Sequence, residues 1–143
     1  MRLGVTVSII DHVQFIARKR LGDSRGWFLK LMDGNEPALS LAFGEIYLVM
    51  ARPGQVRGNH YHAKTSEWFT VVEGKALLKL ADPESDERRE IHLQAAEPQT
   101  VFVPAGVAHA FKNPVDSGAE LLLVAYADHP YDPADTVQFR LLK

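Results

Sequence analysis

Short runs of β-branched and aromatic residues recur along the whole chain, and no segment keeps the three-to-four-residue apolar spacing of an amphipathic helix. The runs are "VTVSII", "GWFLKL", "EIYLVMA", "EWFTVV", "ALLKLA", "EIHLQA", "TVFVPA", "LLLVAYA" and "VQFRLL". Gly, Pro, Asp and Asn clusters interrupt the chain between them. Nine or more strands in 143 residues predict an all-β sandwich or barrel such as a jelly roll.

A chain of this length suits one core, so residues 1–143 are expected to form a single domain with one site. The 46% hydrophobic and 24% charged composition indicates neither disorder nor a fibrous repeat. Gly74, after "TVVE", is expected to turn a hairpin into "ALLKLA", and "DPESDERR" to be a solvated hairpin tip. The stretch "MDGNEPALSLAFG" fits no periodicity and reads as a loop or a short turn of helix.

A formal net charge of -2 lacks the basic excess of a dedicated nucleic-acid binder. The absence of cysteine rules out disulfides, thiolate metal ligands and cysteine nucleophiles, and is compatible with a reducing compartment. The apolar run in "MRLGVTVSIIDHV" is short and broken by Asp11, unlike a signal peptide, and no run has the length needed to cross a bilayer. These features predict a cytoplasmic protein with no membrane partner.

His60 and His62 stand two apart, and Glu67 follows at the head of an apolar strand. In an extended segment, residues two apart project to one face, so both imidazoles reach a common point. Phe69 and Val71 alternate with Glu67, which puts its carboxylate on the core side. In "VPAGVAHAFKN", Pro104 and Gly106 make a turn that presents His109. Groups of this kind crowded together repel when charged and cost free energy when desolvated, so a metal ion or a proton-transfer reaction should compensate. Three imidazole nitrogens and a carboxylate suit a divalent ion, zinc first by ligand type, with Fe, Mn, Ni or Cu also fitting. His12, His92 and His129 have no such partners in sequence and receive no ligand role.

At this point the sequence resembles the cupin superfamily. The first cupin motif falls on Gly54, His60, His62, Glu67 and Gly74 without a gap, and the second on Pro104, Gly106, His109 and Asn113, with Pro98 where the motif has glycine. Agreement at nine positions, each roughly 2 to 8% probable from average usage, is far beyond chance. The resemblance implies a double-stranded β-helix, the cupin jelly-roll barrel, with His60, His62, Glu67 and His109 pointing inside as a metal set.

A narrower resemblance is to cupins that act on nucleotide-linked sugars. "DSRGWF", "RGNHYH" and "YADHPYDPAD" are similar to segments of dTDP-4-keto-6-deoxyhexose 3,5-epimerases, of dTDP-sugar 3,4-ketoisomerases and of the cupin domain of capsular-polysaccharide epimerases. Asn59 replaces a leucine of the first group. His62 stands where the metal-free 3,5-epimerases usually have glutamine, so the intact metal set is closer to the capsular type. The resemblance implies a substrate that is a nucleotide-activated 4-keto-6-deoxy sugar, with Arg25, Arg57, Tyr61 and Lys64 binding it. It also implies His60 as the base and Tyr131 as the acid on the opposite face of the sugar.

A hydrogen beside a ketone is acidic enough for a positioned imidazole to remove when the enolate oxygen is stabilised. The rival readings are a cupin oxygenase holding Fe(II) with the same ligands and a sugar-binding module without turnover. Exposed edge strands in a sandwich of this size predict a homodimer, with the N-terminal strand a candidate to cross to the partner.

Overall fold

The computed structural model describes residues 8–40 and 42–143. Its twelve strands are β1 (Gln14–Ala17), β2 (Arg20–Asp23), β3 (Gly26–Leu29), β4 (Glu45–Ala51), β5 (Val56–His62), β6 (Glu67–Glu73), β7 (Lys75–Ala81), β8 (Arg88–Gln94), β9 (Gln99–Val103), β10 (Ala108–Lys112), β11 (Leu121–Ala127) and β12 (Thr136–Gln138). Two antiparallel sheets, ordered β1-β9-β6-β11-β4 and β12-β5-β10-β7-β8, enclose the core, and β2 and β3 form a separate hairpin. This is the double-stranded β-helix of the cupins. Phe69, Val71 and Leu123 of one sheet meet Leu78, Leu80 and Phe111 of the other. Each such side chain, fully buried, contributes about 1.5–3 kcal/mol.

The alternation that defines a half-buried strand is clearest in β4. Tyr47 and Val49 point inward, while Ile46, Leu48 and Met50 point out and are exposed. In β6 both faces are buried, because Trp68 packs outward against Phe102 and Tyr126, with ring centroids 4.8 and 5.5 Å away.

Among its described residues, 32–40 and 42–44, the stretch that defied periodicity is a loop fastened to the outer face of this sheet. The Thr100 hydroxyl donates to the Leu31 carbonyl at 2.7 Å and accepts from Arg18 Nε at 2.9 Å, while Thr70 Oγ1 lies 3.0 Å away. Arg18 also pairs with buried Glu36 at 2.6 Å, which accepts from the Asp33 and Gly34 amides. Burial disfavours the Glu36 carboxylate, but the amides and the guanidinium outweigh it and hold its pKa below the usual range.

Three local expectations change. Residues 5–7 of "VTVSII" lie outside the described residues, and Ile9–His12 form a 3-10 turn capped by Ser8, which seats Ile10 in the core. Only the start of "VQFRLL" is strand; beyond β12 the Asn59 side chain binds the tail, accepting from the Leu141 and Leu142 amides and donating to the Leu142 carbonyl. Gly74 does not turn a hairpin, because β6 and β7 belong to different sheets. It forms the corner between them at φ +80°, where a Cβ would lie 2.3 Å from the Glu120 carbonyl oxygen. The "DPESDERR" tip does join a hairpin, β7 to β8.

Candidate functional site

The interior of the barrel opens as a cavity of about 390 Å³ lined by both sheets and by the segment after β11. His60 and His62 reach it from β5, His109 from β10 and Glu67 from β6. The ring centroid of His60 is 4.8 Å from that of His62 and 4.9 Å from that of His109. One ring nitrogen from each imidazole lies within 4.8 Å of the others. The motif therefore assembles as its spacing predicts, with His109 directly across from His60 in the ladder.

The second motif builds the approach to His109. Gly106, at φ +91°, donates its amide to the His62 carbonyl at 2.7 Å, and Val107 closes the turn onto Pro104. The Val107 carbonyl lies 3.1 Å from His109 Nδ1, which fixes the tautomer and leaves the Nε2 lone pair facing the cavity. Asn113 is wholly buried and donates to the Ala51 and Ala119 carbonyls, so its part is structural.

Glu67 is the anionic centre. His62 Nε2 is 2.8 Å from its Oε1 and His109 Nε2 is 3.7 Å away, yet no donor is well directed at that buried oxygen. Its Oε2 accepts from the Tyr47 hydroxyl. Burial opposes ionisation, but His62, His109 and Tyr47 together hold its pKa below the ordinary value. Burial and the adjacent carboxylate push the Tyr47 phenol up. Burial, then the charges of His109 and His62, push His60 down to about 4. His109 is lowered chiefly by burial. For His62 burial acts downward too, but the close approach of the Glu67 carboxylate and its charge raise the pKa overall.

These donors fit a divalent cation. Two lone-pair-bearing atoms, His109 Nε2 and Glu67 Oε1, face one another in a buried space. A positive centre would satisfy both.

Arg57 also lines the cavity, and a β-bulge is what brings it there. Gly58 and Asn59 take positive φ values of 103° and 61°, and the register shifts so that His60 pairs with His109 while Arg57 pairs with Phe111. Tyr131 lies on the rim, largely exposed.

Three of the expected substrate contacts are not brought to the cavity. Tyr61 alternates with His60 and His62 and so points outward, packing against Phe139 with centroids 6.5 Å apart. Lys64 follows the end of β5, where its backbone amide donates to Asp135, and its side chain does not line the cavity. Arg25 sits on the exposed β2–β3 hairpin, paired with Asp23 at 2.6 Å.

Sequence reasoning missed Tyr47, Asp135 and His129. Tyr47 reaches Glu67 across β11, whose Ala125 and Ala127 leave the space open. Asp135 accepts from the Lys64 amide and the Thr65 hydroxyl beneath His62. His129 lines the cavity beside Tyr131. Period-two alternation in "EIYLVMA" would have pointed Tyr47 inward; no local signal places the other two.

A model of the polysaccharide biosynthesis C-terminal domain matches residues 21–139. The chain belongs to this family. Another polysaccharide protein similar to this domain is the spore coat polysaccharide biosynthesis protein SpsL of Bacillus subtilis (strain 168), 25% identical over 130 residues, or 87% of this chain and 84% of SpsL. Among solved structures, the dTDP sugar isomerase from Desulfovibrio desulfuricans G20 superposes with a TM-score of 0.81 at 20% identity, covering 95% of this chain and 88% of its own. ChmJ, a 3'-monoepimerase from Streptomyces bikiniensis solved with dTDP-quinovose, gives a TM-score of 0.77 at 19% identity over 88% of this chain and 68% of its own. The polysaccharide biosynthesis domain thus shares its barrel with sugar-nucleotide isomerases.

Proposed function

We propose that this domain is an isomerase, an epimerase or ketoisomerase, of a nucleotide-activated 4-keto-6-deoxy sugar, dTDP- or UDP-linked, in cytoplasmic steps of cell-surface polysaccharide synthesis. The observation that carries the reading is the pairing of an imidazole with a guanidinium: His60 and Arg57 face one cavity from the same strand. SpsL and the two solved sugar-nucleotide proteins support it.

Arg57 would bind the diphosphate through its planar fork of N–H donors. His60, kept neutral by burial, has a lone pair for the proton on the carbon beside the ketone. Epimerisation returns a proton from the opposite face, and Tyr131 on the rim is the donor we assign. Ketone migration instead returns it to the neighbouring carbon of the enediol, which the same residues can serve.

A divalent metal, zinc foremost, is a second element of the proposal, held by His60, His62 and His109 with Glu67. Bound there, it would supply a Lewis acid for the ketone oxygen. A coordinated His60 has no free lone pair, so its base and ligand roles exclude each other. We also propose a homodimer, seated on the outward row Ile46, Leu48 and Met50 of β4, an edge strand of its sheet.

The test is incubation in D2O with dTDP- and UDP-linked 4-keto-6-deoxy sugars, following mass and proton NMR at the carbons flanking the ketone. Deuterium uptake that requires His60 supports the reading, and product couplings separate epimer from ketoisomer. A folded protein that exchanges none of these sugars would overturn it.

A further inference from the structure

An enolate leaves charge on oxygen, and the residues assigned so far give that oxygen no free proton donor. His109 spends Nδ1 on the Val107 carbonyl, His62 lies between Thr136 and Glu67, and Tyr47 donates to Glu67. Arg57 is committed to the diphosphate and Tyr131 to carbon. One further polar side chain on the cavity wall has the arrangement of an acid–base group. His129 Nδ1 is 2.7 Å from Asp128 Oδ1, and that oxygen also accepts the Ser66 amide at 3.0 Å. The Asp128 side chain is mostly buried and the His129 ring half exposed.

The backbone beneath the pair is fixed. The Asp128 amide donates to the Ser66 carbonyl, so both ends of the contact with Ser66 are tied. Gly44 presses against the chain so closely that a Cβ there would lie 2.3 Å from the His129 backbone nitrogen and from the Ala127 carbonyl oxygen. An imidazole held this way by a carboxylate has a defined orientation: Asp128 only accepts, so Nδ1 must carry hydrogen and Nε2 is the nitrogen left for substrate.

Resting on the isomerase reading, we propose that His129 is a catalytic residue that protonates the enolate oxygen, with Asp128 as its positioning residue. His60 takes the proton from carbon, and that C–H electron pair becomes the C=C bond as the carbonyl π pair moves to oxygen. The Nε2–H bond of the His129 imidazolium breaks, an O–H bond forms, and the pair from N–H stays on nitrogen. Asp128 stabilises the imidazolium before the transfer. When the ketone re-forms, the enol oxygen returns its proton to Nε2, so no co-reactant is consumed.

The experiment compares wild type, His129→Ala, His129→Gln and Asp128→Asn in the D2O assay, with substrate affinity measured separately by calorimetry. The expected result is a loss of about 10²–10³-fold in the exchange rate for both His129 variants, the usual range for a lost donor to an enolate or oxyanion. Affinity should stay within a few fold, and added imidazole should restore exchange in His129→Ala. Asp128→Asn should lower kcat and leave KM nearly unchanged. Exchange by His129→Ala at the wild-type rate, or a loss in folded protein that imidazole does not restore, overturns the inference while leaving the isomerase reading intact. Absence of exchange in wild type removes the isomerase reading itself.

Discussion

Arg57 and His60 face the same cavity from one strand although three positions separate them. A regular strand sends residues an odd number apart to opposite faces. The bulge at Gly58 and Asn59 inserts the extra residue that restores the common face, and Gly58 φ of 103° together with Asn59 φ of 61° is what it requires. Asn tolerates the left-handed region better than a larger apolar residue would, and here its side chain also fastens the tail.

Gly58→Ala should therefore damage stability and site together. Its Cβ would meet the His109 carbonyl oxygen at 2.7 Å. Urea unfolding should report a loss of about 1–3 kcal/mol, the range for backbone forced into a sparsely populated conformation. Nucleotide-sugar affinity should fall as well, as Arg57 loses its aim. A variant with wild-type stability would show that the bulge is not held as described.

Chelation separates the two roles of His60. If His60 is the working base, dialysis against EDTA should leave deuterium exchange intact or raise it, since removing a bound ion frees the imidazole. Elemental analysis run in parallel should find a divalent ion in the zinc-treated wild type. His62→Ala should bind it at least about 10-fold more weakly. Exchange abolished by EDTA and restored by zinc would instead make His60 a ligand.

The folded pKa of His60, about 4 against an ordinary 6.5, sets a pH dependence of stability. Between those values the unfolded chain takes up a proton that the folded chain refuses, so stability is full above about 6.5 and is lost as pH falls towards 4. His109, lowered by burial, acts the same way. His62, where Glu67 outweighs burial and raises the pKa, acts oppositely. Calorimetry should find Tm falling from about pH 7 to 4, with a shallower slope in His60→Gln; an unchanged slope would place His60 in contact with bulk water.

The exposed row on β4 predicts the oligomeric state. Ile46, Leu48 and Met50 are 64, 66 and 39% exposed, and they continue into Leu122, Val124 and Tyr126 through the β11 pairing. Light scattering should give the mass of two chains at micromolar concentration for wild type and of one chain for Leu48→Glu. A monomeric wild type would contradict the proposed interface.

What the sequence determined by itself was local and periodic. The run "EIYLVMA" and the run "LLLVAYA" are strands over their full lengths, because their β-branched and aromatic residues sit where a pleated sheet buries one face. His60, His62, Glu67 and His109 were legible because an interval of two fixes a shared face and a Pro–Gly turn fixes an approach. Tertiary structure decided what depends on distant segments meeting. Tyr61 lies in the same short string as His60 but points away from the cavity, whereas Arg57 enters it only because a bulge changes the parity. Gly74 marks a turn in either case, but only the assembled barrel makes it a corner between sheets. Tyr47 and Asp135 join the site through contacts to Glu67 and Thr65, partners distant in sequence, so no single run of residues contains those distances. His129 and Asp128 are adjacent in the chain, and what the fold decided is that His129 lines the cavity.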